Sequence, residues 1–213
     1  MTARVAVLGV MLALVAGPLA AGPAAAQSSS DLPPGVFMGS KELADARAGT
    51  YTVDPDHNAV FARVQHIGYS WSVFRFDQAS GKLTFDPAAP EKSTLSVSVK
   101  IESITSNVKG FASELAGEQY LKAAKFPEAT FVSTAFRRSD DTHGKVDGQF
   151  TLMGMTKPVT FDVELIGVGK GWAEKPRMGV HAVATIKPQD FGFPALFGNA
   201  IEIVVDAEFE RAP

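Results

Sequence analysis

Four histidines, two adjacent carboxylates and three alternating glycines are the residues of this chain whose types invite a chemical reading. A zinc or iron site needs three or four ligands converging in fixed geometry. His57 and His66 come from one segment, His181 from a distant one, and His143 follows Asp140-Asp141 in a polar stretch. His66 shares a strand face with Val64, whereas His181 alternates away from Val180 and Ala182. The two are therefore expected on opposite sides of a sheet. His57, directly after Asp54-Pro55-Asp56, is read as a turn residue that satisfies nearby backbone. His66 is read either as a hydrogen-bonded strand end or as a polar contact to a ligand head. A serine nucleophile needs a histidine base and an orienting acid, and no Gly-x-Ser-x-Gly elbow is present. Gly167, Gly169 and Gly171 resemble a phosphate loop only superficially. No helical pattern follows them, so a hairpin loop is expected there. No catalytic residue, metal or cofactor is assigned, and an enzyme is not expected.

The elements that would position these residues are strands. In Val146 to Leu165, two runs of alternating apolar and polar residues flank the turn Gly154-Met155-Thr156-Lys157-Pro158. Side chains of a strand point to opposite faces in turn, so this reads as an antiparallel pair with one apolar face. The same alternation marks Val60 to His66, Val73 to Phe76, Leu83 to Phe85, Leu95 to Ile101, Ala129 to Arg137, Val180 to Ile186 and Ile201 to Ala207. Gly68-Tyr69-Ser70 reads as a turn. Only Asn107 to Lys125 changes period, with Phe111 and Leu115 at helical spacing. Roughly eight antiparallel strands allow a sandwich or a closed barrel. Closure of about eight strands leaves an interior that side chains fill or that holds one small ligand. Small inward candidates, Ala62, Ala182 and Ala184, favour the hollow barrel. The fold class is all-β, an eight-stranded antiparallel barrel with one short helical segment.

The 213 residues contain no cysteine and carry a net charge of −3. Thiol chemistry and disulfides are excluded, and no basic excess points to nucleic acid. Arg4, the apolar run Val5–Ala16 and the small residues Ala24-Ala25-Ala26 read as a signal peptide over 1–26, so the product is expected in the periplasm. No cysteine follows for a lipid anchor. Residues 27–49 read as a leader, flexible or carrying a short helix at 40–48, and residues 50–213 as one barrel domain, long enough for a sizeable core.

The order of motifs resembles the YceI-like family of exported lipid-binding proteins. The resemblance spans roughly Tyr51 to Phe209. It rests on Tyr51, Asp54, His57, Val60, Val64 and His66; on Arg75-Phe76; on Ser103-Ile104-Thr105-Ser106; on Lys125-Phe126-Pro127 with Thr130-Phe131; on Gly148, Phe150, Thr151, Gly154, Thr156, Lys157 and Pro158; and on Asp190-Phe191-Gly192. What it implies is a lipocalin-like barrel with an apolar lumen that binds polyisoprenoids or other long-chain amphiphiles. Departures cluster in one region. Phe74 stands where a Gly often precedes the basic-aromatic pair. Phe111-Ala112-Ser113-Glu114-Leu115 replaces a polar Arg-Asp-x-His-Leu step, Tyr120-Leu121-Lys122 replaces Phe-Phe-Asp, and Pro188 replaces an Arg. These bear on the headgroup more than on the tail.

The candidate lining is Val60, Ala62, Val64, Leu83, Phe85, Leu95, Val97, Val99, Phe150, Leu152, Phe161, Val163, Ala182, Ala184, Ile201 and Ile203, with His66 as the polar contact. Trp71, Trp172, Phe193 and Phe197 are expected at the mouth or packed outside it. Loops around Tyr69 to Val73 and the helical segment would gate exchange. The partners implied are a polyisoprenoid or other long-chain lipid and a passing contact with a membrane, with the chain a monomer or a homodimer. Two rivals stay open: a His66-dependent enzyme or redox partner, and a solid-cored structural barrel.

Overall fold

The alternating runs become ten antiparallel strands in a computed structural model that describes residues 32–171, 174–194 and 198–212. In chain order they are β1 (Gly49–His66), β2 (Ser70–Phe76), β3 (Ala79–Phe85), β4 (Thr94–Lys100), β5 (Ile104–Thr105), β6 (Glu128–Arg138), β7 (His143–Leu152), β8 (Met155–Lys170), β9 (Pro176–Ile186) and β10 (Ile201–Arg211). Eight of them, in the order β1-β10-β9-β8-β7-β6-β4-β3, close on themselves as a barrel, with β2 and β5 annexed to the upper part of β1. Closure removes the sheet edges that would otherwise remain unpaired.

The 18-residue β1 organises the ring. One edge pairs with β10 from Tyr51↔Arg211 to Val64↔Ile201, interrupted by a bulge between Val53 and Asn58. The other edge changes partner. Its first residues pair with β3 (Gly49↔Phe85 to Thr52↔Lys82), and its last residues pair with β2 (Val60↔Phe76 to His66↔Ser70). The sequence places Asp54-Pro55-Asp56 in a turn before the first strand. Instead the strand continues through them as the bulge, because β10 still supplies a ladder on either side.

Two further expectations are corrected. The helical segment shrinks to α1 (Phe111–Ala116), entered through Gly110 in the left-handed region (φ 81°) and ended at Gly117. After it, backbone bonds from Leu121 N–H to Leu115 O (2.9 Å) and Ala123 N–H to Ala116 O (2.8 Å) fold Gly117 to Lys125 into turns rather than further helix. The glycine-rich stretch is a hairpin loop only from Gly171, whose N–H donates to the Lys175 carbonyl (2.7 Å): β8 runs on through Gly167 and Gly169 to Lys170. The amino-terminal segment lies across it, with Ser40 and Val168 exchanging backbone bonds of 2.7 and 2.8 Å. A Cβ on Gly167 would meet the Gly39 Cα at 3.2 Å, so close backbone approach explains the glycine. Residues 40–48 are thereby docked on the barrel, and their helical content is the single 3₁₀ turn Leu43–Asp45. The signal-peptide reading over 1–26 lies outside the described residues.

The interior holds two apolar clusters. The upper one gathers buried Phe74, Ile101, Leu115, Phe131, Phe150, Phe161, Phe191 and Ile201. The lower one gathers Tyr51, Leu83, Leu165, Val168, Met178 and Phe209. Leu95, Phe136 and Val205 pack against both. Tyr51 is 1% exposed, and its hydroxyl donates to the Arg47 carbonyl, tying the chain entry to the lower core.

One position in the β7 wall tests the packing. Phe131 packs edge-on against Phe161, with ring centroids 5.1 Å apart. A Cβ on Gly148 would lie 2.3 Å from the Phe131 ring and 2.6 Å from the Val132 carbonyl oxygen. Gly148→Ala is expected to lower stability by about 1–3 kcal/mol through forced repacking. Denaturant or thermal unfolding of the two forms measures it, and an unchanged midpoint would show that Phe131 moves aside freely.

Candidate ligand-binding cavity

The upper barrel does not fill its own interior. A cavity with about 170 Å³ of water-accessible space lies within it, walled by residues of all ten strands and by the roof segments. The solid-barrel expectation does not match this interior. A water needs roughly 10–15 Å³ on this measure, so there is room for roughly ten water-sized groups. The wall is almost wholly apolar, with Asn58, Ser80 and Thr130 the polar residues in it. Asn58 donates its amide to the carbonyls of Asp54 (2.8 Å) and Pro55 (2.9 Å), which pins the β1 bulge and leaves its Oδ1 buried and unpaired.

The partner change of β1 leaves a seam in the wall. Between Thr52↔Lys82 and Val60↔Phe76 the β1 edge carries no ladder, and Val53 and Asn58 on one side face Ala79 and Ser80 on the other. The roof is built from α1, the turns after it and the 3₁₀ turn Pro188–Phe191. Phe191, 1% exposed, meets Phe150 edge-on at 5.5 Å. Phe74 and Phe111 meet at 5.9 Å. Two departures from the family pattern thus contact each other and make this part of the cavity more apolar than a Gly facing an Arg would.

Ten of the expected lining residues border this cavity: Val60, Ala62, Val64, Val97, Val99, Phe150, Leu152, Phe161, Ile201 and Ile203. Leu83, Phe85 and Val163 instead line a second, lower pocket of about 140 Å³ near the β6–β7 hairpin. Alternation gives the face of a residue but not its height in the barrel, which places Leu83 and Phe85 in or against the lower cluster and Val163 against the upper one. Leu95, Ala182 and Ala184 point inward but are packed into core clusters. His66 is exposed at the tip of the β1–β2 hairpin opposite Ser70, beyond the cavity wall. Phe193 lines the cavity, whereas Trp71 is half exposed on the outer face under the Arg63 guanidinium, 5.2 Å from its ring centroid. Trp172 and Phe197 lie outside the described residues. Sequence reasoning missed Phe74, Phe76, Ile104, Phe131 and Val205, all in the wall. The alternation Phe74–Phe76 was a usable signal; the height of β5 was not.

The histidines do not converge. His181 pairs with Asp206 (2.7 Å) and His143 with Asp140 (3.0 Å), each on the outer surface. His57 does not serve nearby backbone as expected: its Nδ1 lies 2.9 Å from Asp54 Oδ2. Asp54, His57 and Glu208 come close enough together to suggest metal ligands. The positive charge there is already supplied by Arg177, whose Nη1 donates to Asp54 and Glu208 (2.5 Å each) and whose Nη2 donates to Glu210 (2.9 Å). Arg177 and Asp54 are largely buried, with side chains 19% and 10% exposed. The cluster straps the β1 bulge to β9 and β10, which gives Asp54 and His57 a structural role. Burial alone would raise the Asp54 carboxyl. The Asp56 N–H, His57 and Arg177 more than reverse this and hold it at about 2.

That depression fixes a pH dependence. A lowered carboxyl contributes stability above its ordinary value near 3.8 and loses it as pH falls toward about 2. Asp54→Asn is therefore expected to destabilise by about 2 kcal/mol near pH 6, with the difference from the native chain shrinking toward pH 2. Thermal melts across that range measure it. A difference independent of pH would show that the carboxylate charge is not what Asp54 contributes.

Comparison with known proteins agrees with this architecture. Residues 51–209 match the YceI-like domain. The chain is similar to Protein YceI of Salmonella arizonae, at 35% identity over 169 residues that cover 76% of this chain and 87% of that protein. Among solved structures it is similar to the YceI protein of Campylobacter jejuni, at 28% identity and a TM-score of 0.64, covering 70% of this chain and 91% of that one. BcnA of Burkholderia cenocepacia, at 22% identity, covers 75% of this chain and 99% of its own with a TM-score of 0.64. A polyisoprenoid binding domain from Saccharophagus degradans, at 16% identity, covers 78% and 100% with a TM-score of 0.53. At those identities the last two share the fold.

Proposed function

The chain belongs to the YceI-like domain family, and from that premise we propose that it binds the long apolar chain of an amphiphile, a polyisoprenoid or a fatty-acid-like lipid, inside the upper barrel. The observation that carries this reading is the unfilled cavity with its apolar wall. The ligand class named for the Saccharophagus degradans domain fits the same reading. The mechanism is desolvation. Each buried methylene stabilises by about 0.8 kcal/mol, so roughly ten of them give about 8 kcal/mol before the cost of ordering the tail. No reacting group is needed for affinity of that size. The Phe74–Phe111 contact narrows the choice of headgroup toward one of low charge, since an ion placed there would have to leave water without a partner. The amino-terminal pattern of Arg4, Val5–Ala16 and Ala24–Ala26 supports export to the periplasm, where the protein would sequester or carry its ligand.

Native mass spectrometry of protein exported by a bacterial host is expected to show a co-purifying lipid. Ala62 sits between Phe74 on β2 and Ile203 on β10 and faces the cavity. Ala62→Phe is expected to fill part of the space and reduce lipid occupancy by about tenfold at a cost below about 2 kcal/mol in stability. Equal occupancy in the two forms would place the ligand elsewhere, and repeated absence of lipid in the native form would sink the reading.

A further inference from the structure

The β1–β2 hairpin extends past the ends of β9 and β10. The last rung between β1 and β10 is Val64↔Ile201, and Ile201 also takes the last rung with β9, at Ile186. Beyond that level β1 and β2 continue together to His66↔Ser70. The base of the hairpin lines the cavity, through Val64 and Phe74. Its tip and outer face expose what a water-facing hairpin ordinarily hides. Ile67 is 74% exposed, Tyr69 88% and Trp71 50%, and Val73 is also half exposed. Single exposed apolar residues are ordinary, but four within seven positions at the rim of a cavity form a patch.

The chemistry of the patch selects its partner. Trp and Tyr have an apolar body and a polar tip, which suits the boundary between headgroups and hydrocarbon. From His57 to Phe76 the chain has no Asp or Glu and carries Arg63 and Arg75. The loop after β5, which pairs with β2, exposes Val108 and is likewise free of acid from Ser103 to Ser113, with Lys109 in it. Arg63 is paired with Glu202, and Arg75 lies 2.6 Å from Asp77. These cations can meet lipid phosphates at the rim, while their pairing keeps the net field small. The attraction is therefore chiefly apolar and interfacial rather than that of a polybasic surface.

We propose that the β1–β2 hairpin is a membrane-docking element that inserts Ile67, Tyr69 and Trp71 into the interfacial layer of a lipid bilayer and so brings the cavity rim against the membrane. This rests on the lipid-binding reading for its purpose but not for its test. The occupant is a lipid surface, and a second copy of the chain on the same patch is the competing outcome.

The test uses the exported chain with Trp172→Phe, which leaves Trp71 as the fluorophore, and phosphatidylcholine vesicles with and without phosphatidylglycerol. The expected result is a blue shift of Trp71 emission on adding vesicles, and flotation with them that persists in high salt. Tyr69→Ser with Ile67→Ser is expected to reduce partitioning by about tenfold while unfolding at the same midpoint. Absence of any shift or flotation overturns the proposal, as does partitioning that the double substitution leaves unchanged. Concentration-dependent dimerisation that the same substitution abolishes, without vesicle binding, assigns the patch to a second copy and also overturns it. Native mass spectrometry on the same samples separates the two readings. Hairpin-dependent partitioning without co-purifying lipid leaves docking standing and removes the carrier function; lipid-loaded protein that ignores vesicles does the reverse.

Discussion

The structure depends on how β1 shares its two edges. One edge is committed to β10 nearly end to end, and that pairing closes the ring. The other serves β3 below and β2 above, so a single strand belongs both to the barrel and to the hairpin that rises from it. A strand cannot exchange one neighbour for another without a stretch in which neither pairs. The bulge at Val53 to Asn58 falls in that stretch, and bulges tend to occur where a strand must re-aim its side chains. Here the re-aiming costs a buried carboxylate, Asp54, that water no longer reaches freely. Arg177, His57 and the Asp56 N–H supply what water would have supplied. Residues whose grouping in the structure suggests metal ligands thus hold the barrel wall where its ladder is interrupted.

The legibility of the chain follows from which physical rule governed each part. Period-2 alternation rests on backbone geometry alone, so the strands from Leu95 to Val99 and from Ile201 to Val205 were readable, and with them the closed antiparallel barrel. Height along the barrel axis depends on the stagger between strands, which no single strand records. Leu83, Phe85 and Val163 were expected to face inward with the rest, and they border a separate pocket that alternation could not distinguish. The extension of β8 through Gly167 and Gly169 was hidden because Gly167 reflects contact with residue 39, which is 128 positions away in the chain. The helical period over Asn107 to Lys125 was real, but only Phe111–Ala116 kept the geometry, since Gly117 ends the helix and the roof is completed by turns. His66 shares the parity of the lining residues, yet the hairpin carries it above the cavity.

The two apolar clusters share one interior. Leu95, Phe136 and Val205 pack against both. Val205 borders the upper cavity together with Ala207 and Phe209, which belong to the lower cluster, so the cavity reaches from the aromatic residues around Phe74 and Phe150 down to the lower core. The second pocket differs in chemistry: Arg137, Arg138, Asp140, Asp141, His143 and Lys145 border it beside Leu83 and Phe85. Apolar burial is favourable in proportion to the area removed from water, whereas a charged group that loses water without a partner is costly. The apolar wall of the upper cavity and the charged border of the second pocket therefore favour different occupants.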